Sequence, residues 1–298
     1  MPAVSGVYAA AVTPRRDAPE IDLGSLFELI DFLARGGVDG IALMTATGEF
    51  PHFSIEDRTR LISLAVKRSR VPVLAGASHS TLDGALTLAR EAAASGAAAL
   101  LLMPPHFFPY SQEEVRAFYL RFAERFKDAA PVLLDNAPKV TSPIAAETAA
   151  ELLATGQFAG MVESGEDFER LVAARAAGPF DLIAGNDATL AGARRAGAVA
   201  IVSAAASAVP ELLVALDRAL REAREERAGG LEFRWQEFIR RAGEFPEPMA
   251  VREVVSLRGV RAGGAATPLA PESAQRLARF GEWFQAWWPA VQKEVADV

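Results

Sequence analysis

The sequence predicts an α/β protein, a (β/α)8 TIM barrel followed by an all-helical C-terminal extension. Eight short runs rich in Val, Ile, Leu and Ala recur along the chain, and each is continuously apolar. That pattern is typical of parallel strands buried on both faces. Amphipathic segments of helical length lie between the runs. A length of 298 residues accommodates a barrel of about 250 residues and an addition to it.

The alternation of strands and helices favours a barrel over a doubly wound open sheet. An open sheet usually has fewer strands in one domain, and no G-x-G-x-x-G pattern follows the first run. We expect the barrel to span residues 1–209 and the helical region to span residues 210–298. The predicted strands cover residues 6–14, 38–49, 71–78, 97–105, 131–136, 158–164, 181–187 and 198–206.

The helical segments carry recognisable start signals. Asp22 and Ser80 are predicted N-caps, and Ser111 with Glu114 three residues later has the spacing of a capping box. The charged run at 219–230 indicates a solvated helix face that ends at its Gly-Gly pair. Helices are predicted between the strands over residues 22–37, 80–96, 111–126, 142–156 and 165–178.

Composition excludes several functional classes. The net charge of −7 and a pI of about 5.2 argue against a nucleic-acid partner. The chain has no Cys, which excludes disulfides and thiolate chemistry. No apolar stretch is long enough to span a membrane, and residues 1–16 resemble a first strand more than a signal peptide. We therefore expect a cytoplasmic protein with no membrane partner.

In such a barrel, function lies at the C-terminal ends of the strands and in the loops after them. The polar residues there suit a small polar ligand such as an oxo acid or a sugar acid. They are Thr13, Thr45, Thr47, Glu49, Ser78, His79, His106, Asp135, Asn136, Glu163, Ser164, Asn186, Asp187 and Ser203.

Asp135 and Glu163 end neighbouring predicted strands and are candidates for acid–base chemistry, with His106 as a third. The alternative for Glu163 is a structural hydrogen bond below the pocket. Residues 45–49, TATGE, either cradle a carboxylate through backbone amides and hydroxyls or form a plain turn between strand and helix.

A metal site is a weaker alternative. His52, His79 and His106 follow three successive predicted strands, and Asp135 or Glu163 could add an oxygen ligand. No H-E-x-x-H or similar spacing supports this arrangement, and we predict neither a metal nor another cofactor.

Lysine is scarce, which limits covalent chemistry. The chain contains only Lys67, Lys127, Lys139 and Lys293, and none of them ends a predicted strand. A Schiff-base enzyme needs a desolvated lysine on rigid backbone. Lys139, four residues after Asp135, is the only lysine near the predicted pocket.

Several motifs together resemble the dihydrodipicolinate synthase / N-acetylneuraminate lyase family. They are TP at 13–14, TATGE at 45–49, SQEE after PPHFF, NAP at 136–138 and GMVESGED at 160–167. The resemblance runs from about residue 5 to residue 290 and implies a TIM barrel with a helical C-terminal region. It also implies a homodimer or homotetramer and lyase activity on small oxo acids through a lysine Schiff base.

The chain departs from the family at the positions that carry this chemistry. By the resemblance, the Schiff-base lysine falls at Val162 and the catalytic Tyr of the fifth strand falls at Asp135. The Tyr of the proton relay falls at Phe107, and the Arg that grips a substrate carboxylate falls at Val140. Valine cannot form an imine, and phenylalanine cannot relay a proton.

These departures leave three hypotheses. The first is a divergent lyase that has lost the Schiff base, and the second is a non-catalytic ligand-binding or assembly protein. The third is a family activity that survives through Lys139. For the first, the candidate catalytic residues are Asp135, Glu163 and His106. The candidate substrate-binding residues are Thr45, Thr47, Glu49, Asn136, Val162, Asn186 and Ser203.

Overall fold

Eight parallel strands close into a barrel in chain order, and the last strand pairs with the first. The computed structural model describes residues 4–16, 20–137, 140–165, 168–174 and 180–296. The strands are β1 (Gly6–Ala10), β2 (Gly40–Leu43), β3 (Val73–Gly76), β4 (Ala99–Leu102), β5 (Val132–Asn136), β6 (Gly160–Glu163), β7 (Asp181–Ala184) and β8 (Ala200–Ser203).

Helices connect the strands and continue beyond the barrel. Short 3-10 turns follow β2 at Phe50–His52 and β8 at Ala205–Ser207. The α-helices of the described residues are α1 (Leu23–Arg35), α2 (Ile55–Arg68), α3 (Leu82–Ala94), α4 (Gln112–Arg125), α5 (Ala146–Ala154), α6 (Phe168–Ala174), α7 (Leu190–Arg195), α8 (Pro210–Arg221), α9 (Glu225–Ala242), α10 (Met249–Leu257) and α11 (Pro271–Ala296).

The predicted fold class and all eight strands are confirmed. Each strand is shorter than the apolar run that predicted it, because residues at the ends of the run lie in turns or loops. The caps at Asp22 and Ser111 are confirmed by hydrogen bonds to Ser25 N (3.2 Å) and to Glu114 N (3.3 Å). The helix α3 begins one residue later than predicted, with Thr81 as its N-cap.

The predictions need correction at four helices. The helices α2 and α7 were not predicted, although Ser54 caps α2 by accepting from Asp57 N at 3.1 Å. The helix α5 begins at Ala146 rather than at 142. The chain also does not end a helix at Gly229-Gly230, because α9 continues through both glycines. Ala228, Leu231 and Trp235 are buried on one side of α9, so tertiary packing overrides the low helix propensity of glycine.

Side chains alternate between the inside of the barrel and the layer between strands and helices. Leu133, Val162 and Ile183 belong to the cluster inside the barrel. Leu134 and Met161, their neighbours in the chain, belong to the outer cluster. By this period of two, Asp135 points inward with Leu133, and Glu163 points outward with Met161.

The C-terminal helices cover one end of the barrel and one side of it. The helix α8 packs against β1 and α7, so it takes the eighth helix position of the outer layer. The remaining helices, α9 to α11, are here called the extension. The division of the chain at residue 209 stays a prediction. Within the described residues, no helix is both long and apolar enough to cross a membrane.

Candidate active site

The C-terminal ends of the strands face a cavity of about 340 Å³, here called the inner cavity. Strand ends and the loops after them form one wall, and the other is formed by Ile239, Ala242, Gly243 and residues 245–251 of the extension. The predicted site residues that line it are Thr45, Thr47, Asp135, Val162 and Asn186. His106 and Glu49 line a neighbouring cavity, whereas Asn136, Glu163 and Ser203 line neither of the two.

Asp135 and Val162 end neighbouring strands and are register partners on β5 and β6. Asp135 is 7% exposed, and no described residue donates a hydrogen bond to its carboxyl. Burial, with a further contribution from the charge of Glu163, raises the pKa of Asp135 to about 7. Near neutral pH this carboxyl therefore exists in both its protonated and its ionised form.

Glu163 is buried and holds the loops behind the cavity. Its Oε2 accepts from Asn136 Nδ2 at 2.8 Å, and its Oε1 accepts from the backbone N–H of Gly165. Asn136 Oδ1 in turn accepts from Ile144 N at 3.0 Å. This arrangement matches the structural alternative for Glu163, and it gives Asn136 the same positioning role.

Asp187 follows β7 and lines the inner cavity, and its carboxyl accepts hydrogen bonds from the loop after β8. Ser203 Oγ donates to Oδ1 at 2.5 Å and Ala205 N donates to Oδ2 at 3.0 Å. Burial raises the pKa of Asp187 to about 6, against the effect of these two bonds. Trp235 Nε1 donates to the backbone oxygen of Asp187 at 2.7 Å, which ties the extension to this loop.

The loop after β2 places two threonines at the inner cavity. Thr47 Oγ1 donates to Glu247 Oε1 at 2.9 Å. Thr45 is buried, and its Oγ1 has no hydrogen-bond partner among the described residues. Glu247 lines the inner cavity from the connection between α9 and α10. It was not among the predicted site residues, and its position between Pro246 and Pro248 is a weak signal in the sequence.

Glu49, predicted to bind substrate, is already paired with cations. Its Oε2 accepts from an Arg252 nitrogen at 2.9 Å and lies 3.5 Å from an Arg15 nitrogen. Arg252 also donates to the backbone oxygen of Thr13 at 2.9 Å. Glu49 N donates to Ala46 O at 2.9 Å, which is a turn contact. These contacts lock the TATGE segment in place.

A second cavity of about 620 Å³, here called the outer cavity, shares residues 246–249 with the inner one. His106 lines it, with Nε2 at 3.0 Å from Ser80 Oγ and with no partner for Nδ1 among the described residues. Burial, followed by the charges of His79 and Arg58, lowers the pKa of His106. The imidazole is therefore largely neutral near pH 7, in a different cavity from Asp135.

The three histidines do not form one centre. His52 lines the outer cavity with His106, whereas His79 Nδ1 accepts from Thr81 N at 3.0 Å. In the part of the chain that the structure describes, no three His, Cys, Asp or Glu side chains are placed to hold a metal ion. Lys139, the lysine of the third hypothesis, lies outside the described residues.

Comparison with known proteins gives one consistent result. A family model described as the dihydrodipicolinate synthetase family matches residues 3–286. A 4-hydroxy-tetrahydrodipicolinate synthase of Xanthomonas axonopodis pv. citri (strain 306) is 30% identical over 276 residues, which cover 91% of this chain and 90% of that protein.

Solved structures agree with the match. The 4-hydroxy-tetrahydrodipicolinate synthase from Methylacidiphilum fumariolicum SolV has a TM-score of 0.88 at 25% identity, covering 98% of this chain and 99% of that one. The dihydrodipicolinate synthase from Aquifex aeolicus has a TM-score of 0.88 at 23% identity, covering 95% and 98%. From the barrel, the site at its strand ends and a family match over nearly the whole chain, we conclude that this chain belongs to the dihydrodipicolinate synthetase family.

Proposed function

We propose that this chain is a divergent lyase in which acid–base chemistry at Asp135 takes the place of a lysine Schiff base. The observation that carries the proposal is the Asp135 carboxyl itself. It is buried at the cavity wall, accepts no hydrogen bond from a described residue and has a pKa of about 7. An acid–base group works best when its pKa lies near the working pH.

The residues that the structure describes at the cavity include no amine beside Asp135, which supports the same proposal. Val162, where the resemblance places the family's lysine, is the register partner of Asp135 and lines the cavity with an apolar side chain. A substrate carbonyl there would stay a free carbonyl rather than become an imine. Asp135 would then take the proton from the carbon next to the carbonyl, and the electron pair of that C–H bond would form the enolate.

The Thr45 hydroxyl beside the cavity suits the developing enolate oxygen. Thr45 Oγ1 has no partner among the described residues, whereas Thr47 already donates its one hydroxyl proton to Glu247. A hydroxyl that donates to an oxygen as its negative charge grows stabilises the transition state more than the ground state. The enolate then has two outcomes. It expels an oxygen substituent from the next carbon, which breaks a carbon–oxygen bond, or it attacks the carbonyl of a second molecule, which forms a carbon–carbon bond. In either case the oxygen that gains the negative charge takes the proton back from Asp135.

Proton exchange tests this proposal without knowledge of the natural substrate. Small ketones that are neutral, cationic or anionic are incubated with the protein in deuterated buffer, and NMR follows loss of the proton next to the carbonyl. The native chain should speed exchange of at least one compound, and Asp135→Asn should lose roughly a hundredfold or more of that rate. The matched control Asp128→Asn, at an exposed carboxyl, should keep it. Equal rates in both variants would refute the role of Asp135.

A second candidate function is ligand binding without turnover. Glu163 and Ser203 are engaged in structural hydrogen bonds, and His106 lies in the outer cavity. Asp135 is then the one predicted catalytic residue that lines the inner cavity. Ligands that stabilise the protein against heat while none of them exchanges protons would favour this second candidate.

We also propose that the chain assembles as a homodimer or homotetramer in the cytoplasm. Phe107 and Phe108 are 76% and 60% exposed, and their rings meet edge to face at 4.9 Å. Aromatic side chains are enriched at interface cores, and two adjacent exposed ones are costly in water. Light scattering at micromolar concentration should show a mass of at least two chains, and a monomer would contradict the proposal.

A further inference from the structure

The inner cavity carries negative charge on its wall. Asp135, Asp187 and Glu247 contribute carboxyls, and none of the described lining residues is Lys, Arg or His. The two nearby guanidiniums, Arg15 and Arg252, are buried against Glu49 and do not line this cavity. An anionic ligand would meet like charges with no cation to offset them, which disfavours its binding.

Unused hydrogen-bonding capacity in the cavity points to a ligand. Asp135 is 7% exposed, lines the cavity and accepts no hydrogen bond from a described residue. Thr45 is 8% exposed and also lines the cavity, and its hydroxyl has no partner in the described part of the chain. Buried polar groups in native proteins are nearly always hydrogen-bonded, so the unpaired Thr45 hydroxyl suggests that a bound molecule completes this wall beside Asp135.

The strand register fixes which strands lead to the two aspartates of the cavity. Asp135 pairs with Val162, and Val162 pairs with Ile183 on the next strand. Adjacent strands are about 4.8 Å apart, so the strands that lead to Asp135 and Asp187 are roughly 10 Å apart. Val162 lies between them and offers an apolar surface. A ligand with a short carbon chain can rest on Val162 while a donor group at its end reaches Asp135.

We propose that the inner cavity binds a small primary ammonium compound that also carries a hydroxyl or carbonyl group. The ammonium lies at the Asp135 carboxylate over Val162, and the oxygen-bearing group reaches Thr45. An ammonium offers three N–H donors and no acceptor, which suits a wall of carboxylates. This inference rests on the proposed function for the place of the site, and it adds the class of ligand.

Three probes of one size test the charge preference directly. They are 3-aminopropan-1-ol, propane-1,3-diol and 3-hydroxypropanoate, which share a three-carbon chain and a hydroxyl but differ in charge. Ligand-observed NMR titrations near pH 8 give the dissociation constant of each. Because a hydrogen bond to a charged group contributes about 1.5–3 kcal/mol, the amine should bind roughly tenfold to a hundredfold more tightly than the diol. The carboxylate probe should bind most weakly.

Two variants show which carboxyl causes the preference for the amine. Asp135→Asn should bring the amine within about twofold of the diol while the affinity for the diol stays nearly constant, which also shows that the cavity remains intact. Glu247→Gln, at the exposed edge of the cavity, should reduce the preference by a smaller factor. The control Asp128→Asn should leave all three constants unchanged.

Several results would overturn the inference. They are tightest binding by 3-hydroxypropanoate, a preference for the amine that persists in Asp135→Asn, or no binding by any probe. The test measures binding alone, so it is separable from the proposed function. Amine binding without proton exchange would support this inference and refute the lyase, and proton exchange without an amine preference would do the reverse.

Discussion

Replacing Asp135 with Asn should stabilise the protein increasingly as the pH rises. Burial and the charge of Glu163 raise the pKa of Asp135 from the 3.8 of an ordinary aspartate to about 7 in the folded state. A carboxyl with a raised folded pKa contributes its full stability below the unfolded pKa and loses it as the pH rises through the folded one. The native chain therefore loses stability between about pH 4 and pH 7 through this group.

The magnitude follows from those two pKa values. Linkage predicts that ionisation of Asp135 costs the native chain roughly 4 kcal/mol by pH 8, of which about 2–3 kcal/mol is lost between pH 5 and pH 8. Asn has nearly the same shape and does not ionise. The free energy of unfolding of Asp135→Asn, relative to the native chain, should thus rise by about 2–3 kcal/mol over that interval.

Urea denaturation of both proteins at pH 5 and pH 8 measures this difference. Effects of other titrating groups, including Asp187, are common to both proteins and cancel. The control Asp128→Asn, at an exposed carboxyl, should follow the native chain at both pH values. If the difference between Asp135→Asn and the native chain is the same at pH 5 and pH 8, the carboxyl is not desolvated as described and its acid–base role fails.

Two further substitutions test the neighbouring strand. Glu163→Gln should destabilise the fold by about 1–3 kcal/mol in urea denaturation, because one of the donors from Asn136 and Gly165 then faces an amide NH2; no loss of stability would remove its structural role. Val162→Lys should not create synthase or lyase turnover in a pyruvate-consumption assay. The new lysine would form an ion pair with Asp135. The ion pair raises the pKa of the lysine and leaves little of the unprotonated amine that could attack a carbonyl. Turnover near that of an ordinary family member would show that the pocket is otherwise complete.

The strands were predictable because both faces of each one are buried. A strand of this kind is apolar at successive positions and therefore appears in the sequence as a continuous apolar run. Helix limits were harder to predict. The pair Gly229-Gly230 has a low helix propensity, yet α9 runs through it because Leu231 and Trp235 are buried. Local preference is a weak guide where packing decides the outcome.

The candidate site was predictable in part. The position of Asp135 beside Val162 follows from the ends of two neighbouring strands. Glu163 could have been assigned to the outer side of the barrel, away from the cavity, because consecutive residues of a strand point in opposite directions and Val162 points inward. Glu247 could not have been placed, since it meets Thr47 across 200 residues of chain through the packing of the extension on the barrel.

Intact mass after incubation with pyruvate and borohydride tests the central claim, that this chain works without a lysine Schiff base. Borohydride reduces an imine to a stable amine, so an enzyme that uses a Schiff base gains one pyruvyl group. The native chain should show no stoichiometric adduct, because Val162 stands where the resemblance places the reactive lysine and cannot form an imine. A single stoichiometric adduct, mapped by peptide sequencing to Lys139, would contradict the account.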